Sequence, residues 1–296
     1  MTYCDEVPVF RGSYSYSSFG FDPPSVNPVF TTTATSQSGV GRYAIVGSGI
    51  TFSSNYLVTV IQINTNARAL TIDPRAITIT ADALSRYYGD ANPALTYSIG
   101  GKGLVNGDTL SGALATAATT ASNVGDYAIT QGTLAASGNY SLTYTGANLS
   151  VTPRPITVTY TANPVSRTYG DANPALSGTT AVGGLGLVNG DTLAGTAAWT
   201  TPATAASNAG SYAIEGSGLT ASGNYALTSV QAKDNATALT VVPRAVTVTY
   251  TANPVTRSYG DQNPLLAGSY TVQGLVNGDS VFGVVAWRTG ANALSA

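Results

Sequence analysis

The chain has 296 residues, and by length alone that suggests about two domains of roughly 150 residues each. Hydrophobic residues make up 43%, mean hydropathy is +0.11 and formal charge is −2, which excludes disorder of the charged, apolar-poor kind. With 12 basic against 14 acidic residues and no basic cluster, nucleic acid and anionic membrane surfaces are excluded as partners, and no apolar run reaches the ~18 residues of a membrane helix.

The chain opens on Met-Thr-Tyr-Cys-Asp-Glu, with neither the basic nor the apolar region of an export signal. Thr2-Tyr3-Cys4-Asp5-Glu6-Val7-Pro8 is a diverged copy of a motif that recurs downstream. That motif is Tyr88-Gly89-Asp90-Ala91-Asn92-Pro93, then Tyr169-Gly170-Asp171-Ala172-Asn173-Pro174, then Tyr259-Gly260-Asp261-Gln262-Asn263-Pro264. An arginine precedes it each time, as Arg86, Arg167 and Arg257. Four further markers follow in fixed order: Leu-Val-Asn-Gly-Asp (Leu104 to Asp108, Leu187 to Asp191, Leu275 to Asp279), Gly-x-Tyr-Ala-Ile (Gly41, Gly125, Gly210), Ser-x-Asn-Tyr (ending at Tyr56, Tyr140, Tyr225), and Pro-Arg (Pro74, Pro153, Pro243). These markers define an incomplete, diverged repeat over 1–73 that lacks its first strand, whole repeats over 74–152 and 153–242, and a C-terminally truncated repeat over 243–296.

Within each repeat the elements read as strands. Ile77 to Ile79, Ile156 to Tyr160 and Val246 to Tyr250 alternate apolar residues with Thr, the period of a half-buried strand. The Asn-Gly pairs at Asn106, Asn189 and Asn277 suit a type I′ turn and predict hairpins. Leu193, Gly195, Ala197 and Trp199 alternate, as do Val281, Gly283, Val285 and Trp287, so both stretches are expected as strands. Tyr140, Leu142 and Tyr144 share one strand face, and Leu149 and Val151 continue the pattern to Pro153. Strands at roughly 8–12-residue spacing without a helical stretch predict an all-β fold: a tandem array of small Ig-like β-sandwich modules, with a β-grasp module as the alternative. The missing first strand of repeat 1–73 predicts an unpaired sheet edge, open to another chain.

The Tyr-Gly-Asp-x-Asn-Pro, Gly-Leu-Val-Asn-Gly-Asp, Gly-x-Tyr-Ala-Ile and Gly-Asn-Tyr series resembles the MBG-type repeats of large bacterial exoproteins, which are similar to filamentous-haemagglutinin-like adhesins. The likeness covers 74–296 well and 1–73 in degraded form, where Cys4 replaces the motif glycine. It implies a secreted or surface-displayed array used for adhesion or spacing, with its export and anchoring segments elsewhere, and it supplies no catalytic residue.

The chain contains no histidine, which removes Ser-His-Asp and Cys-His catalysis and His-containing zinc sites. Cys4 has no identifiable base beside it and reads as a drifted glycine position. Gly100-Gly101-Lys102-Gly103 lacks the Ser/Thr and the helix of a phosphate loop. Asp90, Asp108, Asp171, Asp191, Asp261 and Asp279 recur once per repeat; they offer oxygen ligands to calcium at the junctions, or hydrogen-bond acceptors for turn amides. The motif residues Tyr88, Gly89, Tyr169, Gly170, Tyr259 and Gly260 read as structural. Tyr127, Tyr140, Tyr212 and Tyr225 lie on apolar strand faces and are expected in the core. No cofactor is implied. The expected partners are neighbouring repeats of the same chain, with a glycan or protein ligand on variable loops such as Gly184 to Gly186 and Gln231 to Thr237 as the second reading.

Overall fold

In the computed structural model the described residues are 1–16 and 26–295; residues 17–25 of the first repeat lie outside them. The chain is all-β, and among the described residues helical structure is limited to two short 3-10 turns, η1 (Asn64–Arg68) and η2 (Lys233–Thr237). No helix among them is long and apolar enough to cross a membrane. The β-grasp alternative, which needs a packed helix, finds none here. The chain divides into two compact units, Met1–Pro153 and Arg154–Ala296.

Unit one contains β1 (Val29–Thr31), β2 (Gly41–Tyr43), β3 (Val46–Ser48), β4 (Leu70–Ile72), β5 (Arg75–Ala81), β6 (Leu84–Tyr87), β7 (Tyr97–Gly101), β8 (Ala115–Thr116), β9 (Gly125–Thr130), β10 (Tyr140–Thr145) and β11 (Ala147–Thr152). Repeat 74–152 is a sandwich of two sheets, ordered β10-β5-β7 and β6-β11-β9-β8. Alternation along the strands sends Ile79, Ala81, Leu142 and Tyr144 from the first sheet, and Ile129 and Leu149 from the second, into one core. The first strand of the repeat and its last are paired in parallel. Tyr140 to Thr145 lies beside Arg75 to Thr80, and after both chains cross to the other sheet Leu149 to Thr152 lies beside Leu84 to Tyr87. A parallel pair cannot be joined by a tight turn. The intervening residues form the crossover, which carries β7, β8 and β9.

Unit two repeats this plan with β12 (Arg154–Ala162), β13 (Val165–Thr168), β14 (Gly178–Gly184), β15 (Ala194–Thr200), β16 (Gly210–Tyr212), β17 (Glu215–Thr220), β18 (Tyr225–Gln231) and β19 (Leu239–Val242). Here β12 is flanked by antiparallel β14 and parallel β18, and β13 by parallel β19. Beyond them β20 (Thr247–Ala252) pairs with β21 (Gly268–Gln273) alone among the described residues.

Two expectations change. The Asn-Gly turns have the required backbone: φ is +55° and +77° at Asn106 and Gly107, and +55° and +79° at Asn189 and Gly190. They do not close hairpins, because β7 pairs with β5 and β8 with β9, and β14 with β12 and β15 with β17, leaving each turn in a loop between strands of different sheets. Val281 to Trp287 forms no strand. Its counterpart β15 is held by β17, and residues 243–296 contain no equivalent of β17.

In repeats 74–152 and 153–242 the motif arginine holds the fold together from inside. Arg167 is 7% exposed and has no acid partner among the described residues; Nε donates to Asn173 Oδ1 at 2.7 Å, Nη1 to Thr168 O at 3.3 Å, and Nη2 to Thr204 O. Asn173 in turn donates to Ala203 O at 2.6 Å. Arg86 and Asn92 make the same set with Tyr87, Thr119 and Ala118. Asn173→Ala is expected to lower the unfolding free energy of unit two by about 1–3 kcal/mol, since a buried guanidinium N–H loses its acceptor; denaturant titration measures this.

Candidate interaction site at the repeat junctions

Four sequence markers that lie far apart in the chain meet where one repeat succeeds another. In unit one the junction joins repeat 1–73 to repeat 74–152. Tyr3 and Tyr140 meet edge to face with ring centroids 5.6 Å apart. Both hydroxyls donate to Asp108 Oδ2, Tyr140 at 2.7 Å and Tyr3 at 3.1 Å. Asn106 Nδ2 donates to the Tyr3 hydroxyl at 3.1 Å, and Val105 N to the Tyr140 hydroxyl at 3.1 Å. The Asn-Gly-Asp turn therefore serves to aim an amide and a carboxylate at two tyrosines. Tyr3, Ala34, Leu70 and Ile72 share a core cluster with Ile77 and Tyr140, so apolar packing continues across the 73/74 boundary.

The Pro-Arg arginine is the polar centre of this junction. Arg75 Nη2 donates to Lys102 O at 2.7 Å and Nε to Gly103 O at 3.1 Å, holding the loop of its own repeat. Its Nη1 reaches the preceding repeat, donating to Tyr3 O at 3.3 Å and lying 3.7 Å from Asp5. The glycine-rich stretch 100–103 is thus the seat of an arginine. Asn139 adds a further link, accepting from Val40 N at 2.9 Å.

The junction inside unit two, between repeats 153–242 and 243–296, repeats the arginine contacts. Arg244 Nη1 donates to Tyr169 O at 3.1 Å and pairs with Asp171 at 2.8 Å. Gly170 has φ +88°, and a Cβ there would collide with Val276. Cys4, in the same motif position, keeps a φ of +65°, with its Sγ 3.4 Å from Asn106 Oδ1, which supports its reading as a drifted glycine. Tyr169, Asn208, Ala209, Pro243, Arg244 and Asp279 line a shallow, open depression of about 340 Å³ at this junction.

The six recurring aspartates are dispersed among these roles. Asp108 accepts from two tyrosines, Asp191 Oδ2 from Tyr225 at 2.8 Å, Asp171 pairs with Arg244, and Asp279 lines the depression. The backbone amides of Asp90 and Asp261 close turns on Tyr87 O and Ser258 O. Among the described residues no three His, Cys, Asp or Glu side chains are grouped as a metal site. Gly89, Gly170 and Gly260 take positive φ of +84°, +88° and +88°, and this lets the motif turn after Tyr88, Tyr169 and Tyr259. Tyr140 and Tyr225 are buried as expected; Tyr127 and Tyr212 are half-buried and donate to Asn123 O and Asn208 O.

Two residues with structural work drew no notice in the sequence. Asn235, 2% exposed in the stretch read as a variable loop, accepts from Ala162 N at 2.8 Å and donates to Tyr160 O at 3.0 Å. Gln231 clamps Gly216 through both its backbone groups, at 2.9 and 2.7 Å. Residues 62–66 repeat the Gln and Asn of 231–235 at the same spacing, and this was the available signal.

Burial first, and the hydrogen bond to Asp108 second among the raising causes, push the Tyr140 hydroxyl above its ordinary value of 10.0; burial raises Tyr144 too. A folded-state value above the unfolded one stabilises the protonated fold, so this contribution is complete below pH 10 and is lost as pH rises through the raised value. Urea midpoints measured from pH 8 to 11 are expected to fall at the alkaline end for unit one. Tyr140→Phe should cost about 1 kcal/mol at pH 8 and flatten the alkaline fall.

A family profile described as MBG domain (YGX type) matches residues 77–150 and 158–233. No curated protein and no solved structure matches the chain significantly.

Proposed function

Because the chain belongs to the MBG domain family of the YGX type, we propose that it is a repetitive structural segment of an extracellular protein: a spacer displayed by a bacterial surface or secreted protein, with adhesion as its further role. The observation that carries this reading is the junction. Arg75 and Arg244 occupy the same place in two different repeats, and each reaches back to the tyrosine carbonyl and the aspartate of the repeat before it. A contact that each repeat offers forwards and accepts backwards can be iterated without limit, and so suits a chain that gains length by addition of repeats.

Composition supports the same reading. Charged residues are only 9% of the chain, and several of them are used inside repeats or at junctions. Exposed strand faces are instead Thr-rich, with Thr78 beside Thr143 and Thr157 beside Thr228 across the parallel pairs. Cross-strand threonine pairs stabilise a sheet without charge. An adhesive role would sit on the stretches where repeats differ.

Small-angle scattering tests the spacer. The expected result is a maximum dimension well above that of a 296-residue globule, whose radius of gyration would be about 19 Å; a value near that of the globule contradicts it. Binding of the 296-residue chain to arrayed glycans and matrix proteins tests adhesion separately, and a blank array removes it.

A further inference from the structure

Asparagine is followed by glycine at Asn106-Gly107, Asn189-Gly190 and Asn277-Gly278, each time in the Leu-Val-Asn-Gly-Asp marker; every other asparagine precedes a larger residue or proline. Asn92 and Asn173, which hold the motif arginines, precede Pro93 and Pro174, and Asn139 and Asn224 precede tyrosine. The difference is chemical. The backbone nitrogen of the next residue can attack the asparagine Cγ; proline has no N–H to bring to that reaction, a tyrosine side chain crowds the approach, and glycine leaves it open. It is open in the structure as well. A Cβ placed at Gly107 or Gly278 meets nothing within 4 Å, and neither N–H donates to a group among the described residues.

What restrains these asparagines is the repeat before them. Asn106 is exposed, yet its Nδ2 donates to the Tyr3 hydroxyl at 3.1 Å and its Oδ1 accepts from Cys4 Sγ at 3.4 Å. Asn277, also exposed, donates from Nδ2 to Ala205 O at 3.2 Å. Tyr3 and Cys4 lie in repeat 1–73, and Ala205 in repeat 153–242, so both amides cross a junction within their own unit. To cyclise, each side chain must turn back onto its own main chain and release these contacts.

We propose that Asn106-Gly107 and Asn277-Gly278 are spontaneous deamidation sites governed by the repeat junctions: a closed junction restrains the asparagine, an opened one frees it, and the reaction removes the amide by which the junction closes. Gly107 N attacks Asn106 Cγ, its proton and the side-chain NH2 leave together as ammonia, and a cyclic imide remains. Water then adds to one of the two imide carbonyls and opens the ring. The product is aspartate, or isoaspartate in which the main chain runs through the former side-chain carbon. Either one replaces a donor by a carboxylate. The Tyr3 hydroxyl already gives its proton to Asp108, so it has none for a second acceptor, and the new charge lies near the Asp108 carboxylate. Isoaspartate also lengthens the main chain of a turn that is closed by Asp108 N on Val105 O at 2.9 Å and that aims Asp108 at Tyr140. One opening therefore makes the next easier. The reaction depends on the junction contacts alone and holds whether or not the chain serves as a spacer.

The test is peptide mapping by mass spectrometry of the 296-residue chain, incubated at neutral pH and physiological temperature, folded or unfolded in urea. The expected result is conversion at Asn106 and Asn277, slower in the folded chain than in urea, with Asn92 and Asn173 intact. Tyr3→Phe keeps the ring against Tyr140 and removes the acceptor; it should raise the folded-state rate at Asn106 about 2- to 10-fold, as the loss of one hydrogen bond implies, and leave the rate at Asn277 unchanged. Asn106→Asp, standing in for the product, should lower the urea midpoint of unit one. Any of four results overturns the proposal: both asparagines stay intact in the folded chain while they convert in urea, they convert equally fast folded and unfolded, Tyr3→Phe leaves the Asn106 rate unaltered or raises both rates alike, or Asn106→Asp keeps the wild-type midpoint.

Discussion

Each whole repeat is closed by the parallel pairing of its first strand with its last, and the rest of the structure follows from that constraint. In repeat 74–152 the partners are β5 with β10 and β6 with β11; in repeat 153–242 they are β12 with β18 and β13 with β19. The same two chain segments run side by side through both sheets, so one pairing event links the two layers of the sandwich. The polypeptide between them is obliged to form a long crossover. Its Leu-Val-Asn-Gly-Asp loop, free of any hairpin duty, is available to receive the tyrosine at the start of the last strand.

That tyrosine makes the closure of one repeat depend on the repeat before it. Tyr140 begins β10 and, through Asp108, shares an acceptor with Tyr3 of the preceding motif. Arg75 begins β5 and gives its guanidinium to carbonyls of both repeats. The residues that pair the strands are therefore those that join the repeats, and a surface poor in charge loses little by committing its arginines there.

Local chemistry was legible in the sequence and pairing was not. Asn106-Gly107 announced positive φ because that demand is met within two residues. The drift of Gly to Cys4 was readable by alignment with Gly170, and the backbone keeps its left-handed turn there. Alternation identified β5, β12 and β15 as strands but does not name a partner; hairpins were inferred from the turns, whereas the closing parallel ladders join residues far apart in the chain, as Arg75 with Tyr140 and Arg154 with Tyr225. Val281 to Trp287 alternates as β15 does and is still no strand, because a strand needs its neighbour as well as its pattern. The recurring aspartates were read as calcium ligands or turn acceptors; the tyrosine hydroxyls that Asp108 and Asp191 accept lie 32 and 34 residues away. Asn235 looked like a loop residue because nothing nearby in the chain reveals that its amide brackets β12.

Native-state hydrogen exchange of the 296-residue chain is the most direct test that strand closure governs the fold. The account predicts that amides of β5 and β10, distant in sequence, share one opening free energy and that it is the highest in unit one. Early exchange of β10 while β5 stays protected would contradict it, and would mean that each repeat holds together without its last strand.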